Sequence, residues 1–274
     1  MSESVRASAQ VQLLGKSSDG LPQKTARVTF HITGDLEAWH TQVKQSPAIE
    51  RSLSTVLPQQ AFPPKKVKIF LEPVQQSRSP EQAFAAAILN LSLGIQREAR
   101  DAVWAGHVIN TDLKKKNSVV TSAVALALPY ERDDVLKNAL NWATTWWMFW
   151  GKPATQQNSE REFLSKYRAW LDTAQPGGLP PNTLRFALSA YERGWPVTIQ
   201  KKVLHIGWGA ARKSLDSSFT GDTSVIATRT SKNKHMTNVL LGQAGLPVPR
   251  SALVRDWPSL QKKVQDFGWP VVIK

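Results

Sequence analysis

Apolar and polar residues alternate over residues 26–33, Ala-Arg-Val-Thr-Phe-His-Ile-Thr, and a period of two predicts a half-buried strand. Residues 67–71, Val-Lys-Ile-Phe-Leu, read as a second strand, and the apolar, β-branched run over 119–128 as a third. The pattern becomes helical at Ser79-Pro80-Glu81-Gln82: Ser79 can cap, Pro80 suits a first turn and Gln82 can close a capping box. This helix is expected to reach about Ala105 and stop at Gly106, with Gly94 a weak or closely packed point inside it. A second helix runs from Asp133 to about Trp150 and a shorter one over 161–171. The polar, Ser/Gln-rich residues 1–25 are expected to fray. Lys114-Lys115-Lys116-Asn117 reads as a basic turn and residues 151–160 as a connector.

Gln175-Pro176-Gly177-Gly178-Leu179-Pro180-Pro181 is a dense breaker cluster, and a domain boundary is expected near it. Beyond it the texture changes. A helix over 182–193 ends at Gly194, short strands follow over 196–199, 203–206 and 225–228, and Ser231 is expected to cap a helix ending at Ala244-Gly245. Residues 252–254 read as a strand, Asp256 as the cap of a helix over 257–267, and residues 270–274 as a last apolar strand. Such alternation predicts α/β layering in this part. A chain that stops on a buried strand lacks that strand's neighbours, so the sequence reads as an incomplete frame.

With 274 residues and 41% hydrophobic content, the chain can build a sizeable core. No stretch approaches the ~18 uninterrupted apolar residues of a membrane helix, and the first residues lack the apolar centre of a secretory signal. The absence of cysteine excludes disulfides, thiol nucleophiles and thiolate metal sites, and fits a cytoplasmic, reducing setting. Charge adds a positive clue. A formal net charge of +14 favours polyanionic partners: nucleotide phosphates, nucleic acid or anionic lipid.

Three places can carry chemistry. Lys234 falls in the first turn of its helix, where backbone donors also favour an anion. Lys274 follows an apolar strand and needs a partner, a phosphate or a carboxylate. His205-Ile206-Gly207-Trp208-Gly209, with Arg212, Lys213 and Ser214, offers glycines that admit a ligand close to the backbone, although Arg212 breaks the dinucleotide fingerprint. No two of His31, His40, His107, His205 and His235 have metal-binding spacing. Trp142, Trp146, Trp147 and Trp150 recur at helical spacing, which favours core over a stacking platform.

Residues 182–274 resemble the start of an ATP-grasp ligase, and more narrowly the cyanophycin synthetase family. The resemblance rests on Ile206-Gly207-Trp208-Gly209, then Arg212-Lys213, then Thr223-Ser224-Val225-Ile226-Ala227. It continues through Asn233-Lys234-His235-Met236-Thr237, Leu240-Leu241, Ala244-Gly245-Leu246-Pro247-Val248-Pro249 and Pro270-Val271-Val272-Ile273-Lys274. Asn233 stands where the family has Asp, and Ala210, Ala211 and Ser214 lighten its basic run. The implied fold is an α+β N-terminal domain (26–174) after a flexible start (1–25), then an α/β pre-ATP-grasp subdomain (175–230). The incomplete start of an ATP-grasp fold (231–274) follows. Residues 95–106 and 128–131 resemble the family's N-terminal domain. Asn90 and Gly94 stand where some relatives carry histidine and glutamate, so no side hydrolytic activity is expected.

The resemblance implies that Lys234 and Lys274 contact ATP, and that Gly207, Gly209, Arg212, Lys213, Thr223 and Ser224 approach a peptide or Asp/Arg-type substrate. It implies activation of a peptide carboxylate as an acyl phosphate, attack by an amine, magnesium with its ligands beyond Lys274, and a homo-oligomer. The chain alone is then expected to be inactive. The alternative is a non-catalytic basic module that holds a polymer or polyanion, motivated by the lysine runs at 114–116, 201–202 and 262–263.

Overall fold

The structure is a computed structural model and describes residues 5–46, 48–57, 67–116, 119–152 and 160–273. Two compact units emerge, Met1–Ser218 and Phe219–Lys274. The first contains a four-stranded antiparallel sheet of order β1-β2-β4-β3, built from β1 (Arg6–Ser17), β2 (Lys24–Thr33), β3 (His107–Lys116) and β4 (Val119–Pro129). Helices α1 (Leu36–Gln45), α2 (Ala48–Val56), α3 (Val67–Gln75), α4 (Pro80–Glu98), α5 (Asp133–Trp150) and α6 (Glu160–Ala174) accompany it.

The period of two decides which face of the sheet is buried. Ala26, Val28 and Phe30 of β2 lie opposite Leu128, Leu126 and Val124 of β4, and all six are fully buried. Tryptophans fill the space beneath. Trp147 Nε1 donates to the Ala87 carbonyl at 2.9 Å, Trp39 Nε1 to the Trp147 carbonyl at 3.1 Å, and Trp146 Nε1 to Ser52 Oγ at 3.2 Å. These indoles tie α1, α2 and α4 to α5 and are core, with no face left for a ligand.

Several sequence expectations change. The polar start is not frayed: β1 pairs with β2 from Arg6 opposite Thr33 to Leu13 opposite Ala26. Its alternation of Ala7, Ala9, Val11 and Leu13 is muted because two of the four are alanine. Residues 67–71 belong to a helix, not a strand; Leu71 and Val74, one turn apart, are both buried. Helix α4 starts as expected, with Ser79 Oγ accepting from the Gln82 amide at 3.2 Å, but ends at Glu98. Arg100 takes φ +67° just beyond it. Gly106 stops no helix. A Cβ there would lie 2.6 Å from the Ala127 carbonyl oxygen, so β3 can approach β4 only through glycine. Lys114, Lys115 and Lys116 lie in β3 rather than in a turn, and Asn117 lies outside the described residues.

After α6 the breaker cluster forms a single 3₁₀ turn, Gln175–Gly177, and then packs against the body. A Cβ on Gly178 would meet the Ala99 carbonyl oxygen at 2.6 Å. Helix α7 (Pro181–Glu192) and strands β5 (Val197–Gln200), β6 (Val203–Ile206) and β7 (Lys213–Asp216) come next, paired antiparallel in sequence order. Their small core joins Leu184, Ala187 and Leu204 to Ala102 and Trp104, and the Trp104 and Tyr191 rings stack at 4.9 Å. Residues 175–218 therefore belong to the first unit. The molecule is mixed α and β with antiparallel sheets, compatible with an α+β fold; among the described residues the C-terminal alternation yields no parallel βαβ layer.

The second unit holds β8 (Phe219–Thr220), α8 (Val225–Lys232), α9 (Lys234–Gln243) and α10 (Trp257–Phe267). Residues 225–228 are helical, not extended, because Ser224 caps α8 through the Ala227 amide. Ser231 lies inside α8, and Asn233 caps α9 instead. Residues 252–254 and 270–273 are in no strand, since no neighbouring strand pairs with them. No helix among the described residues is long and apolar enough to cross a membrane.

The β5–β6 hairpin turns on Lys201 and Lys202, at φ +48° and +74°. Two-residue loops of this kind favour Asn-Gly, and each ordinary side chain at positive φ carries a cost. Replacing the pair with Asn-Gly is expected to raise stability by about 1 kcal/mol, read from urea unfolding; an unchanged midpoint would mean that the lysines are relaxed there.

Candidate functional site

Helix α9 begins where it does because Asn233 Oδ1 accepts from the Met236 amide at 3.0 Å. That cap makes Lys234 the first helical residue, with unpaired amides of the first turn beside it. Asparagine and aspartate cap about equally well, but asparagine brings no carboxylate next to the lysine. Lys234 is exposed and has no hydrogen-bond or ion-pair partner among the described residues.

Lys234 lines a cavity of about 900 Å³ within the second unit, bounded by α9, α10 and the segments 249–254 and 268–273. His235, Arg250 and Lys263 line it too, and among the described residues no Asp or Glu does. Leu253, Val264 and Phe267 give it an apolar wall. Two of the cations are tied back. Arg250 donates to the Asp266 carbonyl at 2.9 Å with its guanidinium 4.7 Å from the Phe267 ring, and Lys263 Nζ lies 3.1 Å from Asp266 Oδ2. Lys234 is left as a free cation at a helix N-terminus, facing a space with no competing carboxylate. That arrangement suits a multiply charged anion with an apolar or aromatic part.

The other residues singled out from sequence fall into separate groups. Gly207 and Gly209 sit after β6 at φ +86° and +53°, holding up Trp208, which is 71% exposed. Arg212 follows the turn and Lys213 opens β7. His205 Nδ1 lies 2.8 Å from Ser214 Oγ, a cross-strand pair. Thr223 and Ser224 belong to the second unit and do local work: Thr223 Oγ1 accepts from the Thr220 amide at 3.0 Å, and Ser224 caps α8. Lys274 lies outside the described residues. Among the described residues no three His, Asp or Glu side chains converge as a metal site. His40 is buried with Nε2 3.2 Å from the Val74 carbonyl, and Asn90 and Gly94 lie on α4.

No family model matches the chain. Over 106 residues, 38% of its length, it is 26% identical to the cyanophycin synthetases of Crocosphaera subtropica, Trichormus variabilis and a Nostoc species. The matched stretch spans only 12% of each of these relatives. The chain is thus similar in part to a ligase, at low identity.

Sequence reasoning missed a buried ionisable cluster in the first unit, because its members are scattered over the end of α4 (Glu98), the segment after it (Asp101), the N-cap of α5 (Arg132) and α6 (Tyr167) and share no motif. Burial pushes the Glu98 carboxyl up to about 8. Burial also raises Asp101 to about 6, although Arg132 Nε donates to it at 2.7 Å and pulls the other way. Burial and the nearby Glu98 push the Tyr167 hydroxyl well above its ordinary range. Glu98 binds its proton more tightly folded than unfolded. Raising the pH from its ordinary 4.5 toward 8 therefore deprotonates the unfolded chain first and favours it. The first unit is expected to lose stability between pH 6 and 8, and Glu98→Gln is expected to remove most of that slope. Urea unfolding at the two pH values checks this; equal slopes for both proteins would refute the assignment.

Proposed function

We propose that the chain forms part of an ATP-dependent amide ligase of the ATP-grasp type, related to cyanophycin synthetase. In this role Lys234 and Lys274 contact the phosphates and the adenine side of ATP. The γ-phosphoryl group passes to a peptide carboxylate, giving an acyl phosphate and ADP; an amine then attacks the acyl carbon and phosphate leaves as the amide forms. The observation that carries the reading is the unpaired Lys234 at the start of α9, lining a cavity without carboxylates. The partial likeness to cyanophycin synthetases supports it. A lysine ammonium and first-turn amides are worth most where phosphate charge is concentrated.

Gly207, Gly209, Arg212, Lys213, Thr223 and Ser224 are the proposed contacts to a peptide or Asp/Arg-type substrate, with Trp208 as an exposed platform beside the first four. Magnesium has no ligand set among the described residues, since no acidic or histidine cluster forms and the cavity lining lacks carboxylates.

Titration calorimetry with a non-hydrolysable ATP analogue tests the reading. Lys234→Ala is expected to weaken binding severalfold, up to about fivefold, the scale of one solvent-exposed ionic contact, while Lys234→Arg retains most of it. Equal affinities for the native protein and Lys234→Ala, or no binding at all, would overturn the assignment.

One observation favours a second reading, a basic module for a polyanion. A groove of about 690 Å³ between α2 and α6 is lined by Arg51, Arg161 and Arg168, none paired among the described residues, although Glu160 and Asp172 also line it. Under this reading, binding to heparin falls steeply between 50 and 200 mM salt, roughly the range over which counterion release acts. Removing the three arginines then abolishes it; retention unchanged by that triple substitution would dismiss the groove.

A further inference from the structure

Among the described residues strand β1 has a partner on one side only, and the burial of β1 and β2 shows what that leaves open. The inward residues of β2, Ala26, Val28, Phe30 and Ile32, are at most 1% exposed. Their neighbours on β1, Ala7, Val11 and Leu13, are half-buried and Ala9 is exposed. Beyond that edge a groove of about 500 Å³ opens between Ala7, α5 and α6, with Trp142, Met148, Phe149 and Phe163 standing half-buried along it.

The sheet's two edges are not treated alike. The sequence of β3 ends in Lys114-Lys115-Lys116, the charged finish that keeps a sheet edge from pairing. Strand β1 has no charge and no proline from Ala7 to Leu14, so it presents an unguarded row of backbone donors and acceptors.

We propose that β1 pairs antiparallel with β1 of a second copy of this chain, about a two-fold axis at Gln10, making one continuous eight-stranded sheet. Only registers that keep inward residues opposite inward residues preserve the buried face. With Gln10 on the axis, Ala7 faces Leu13 and Ala9 faces Val11, so each small residue meets a larger one and Arg6 meets Leu14. Centring on Val11 instead sets Arg6 against Lys16 and Ala7 against Gly15, a like-charge clash and an unfilled position. The flat run ends near Leu13, where the register shifts toward Ser17 and the Gly15 amide turns to the Tyr130 hydroxyl at 3.2 Å, which limits the paired length to residues 6–14. An axis normal to the sheet keeps the helices of both copies on one side. Each α5 then covers the half-buried aromatics beside the other's edge. A self-complementary strand needs no second partner chemistry, and this is why a second copy is favoured over a foreign peptide. The net charge of +14 opposes association, so pairing strengthens as salt screens it, opposite to polyanion binding.

Because the chain has no cysteine, introduced thiols report the register directly. Facing Cα atoms across antiparallel strands lie about 4.5–5.5 Å apart, within reach of a disulfide. Sedimentation of the native chain at about 100 μM is expected to show a dimer. Gln10→Cys is expected to cross-link on mild oxidation, Ser8→Cys alone to cross-link far more slowly, and a mixture of Ser8→Cys with Gln12→Cys to link again. Ala9→Lys, a charge at an exposed position facing inward, is expected to raise the dissociation constant at least about tenfold with the thermal midpoint kept. A native chain that stays monomeric, or Ser8→Cys cross-linking as fast as Gln10→Cys, overturns the proposal.

Discussion

Two guanidinium groups hold a long buried excursion from regular structure. Between α4 and β3 the chain runs through Ala99, Asp101, Ala102, Val103 and Trp104, all buried, with neither helix nor sheet to satisfy its carbonyls. Unpaired buried carbonyls are costly. Arg97 donates to the Val103 and Trp104 carbonyls at 2.8 and 2.6 Å, and Arg132 to those of Ala99 and Ala174 at 2.7 and 2.8 Å. The clamp costs desolvation, enough to push the basicity of Arg97 down to about 10. In return it seats Trp104 against Tyr191, and that stack attaches α7 and the small sheet to the body. Removing either arginine would orphan two buried carbonyls and loosen the joint between the two cores.

The elements legible from sequence were those whose signals are local and strong. Helix α5 matches its expected bounds, α10 has the cap anticipated at Asp256, and β2 and β4 form where the alternation over 26–33 and the apolar run over 119–128 predict strands. A strand is defined by its neighbour, so the short apolar runs at 225–228 and 252–254 that find no partner strand become a capped helix or extended chain. The reverse error hid β1, whose small inward residues gave too little contrast until β2 supplied the register. Likewise Gly106 and Gly178 read as breakers, whereas each is small because a carbonyl comes too close for a Cβ.

For the candidate site, the sequence located Lys234 in the first turn of its helix but assigned the cap to Ser231. The correction matters chemically, because capping by Asn233 makes Lys234 the first residue of α9, beside the unpaired amides of its first turn. The absence of acidic residues from the cavity was not legible, since it depends on which faces of α9 and α10 meet the segments 249–254 and 268–273. Nor was the buried cluster around Glu98, which only tertiary packing assembles.

The second unit sets a limit on how such a cavity can discriminate. No described residue from 219 to 273 is buried, and its helices are held by local devices: Ser224, Asn233 and Asp256 each cap one. Lys234 therefore remains in water, where ionic attraction is screened and a single exposed pair is worth roughly 0–1 kcal/mol. The first-turn amides add to that but equally favour any anion. Charge alone would make the site general for phosphate. Selectivity for a nucleotide has to come from the apolar wall of Leu253, Val264 and Phe267, which gains only when a ligand brings a ring to cover it.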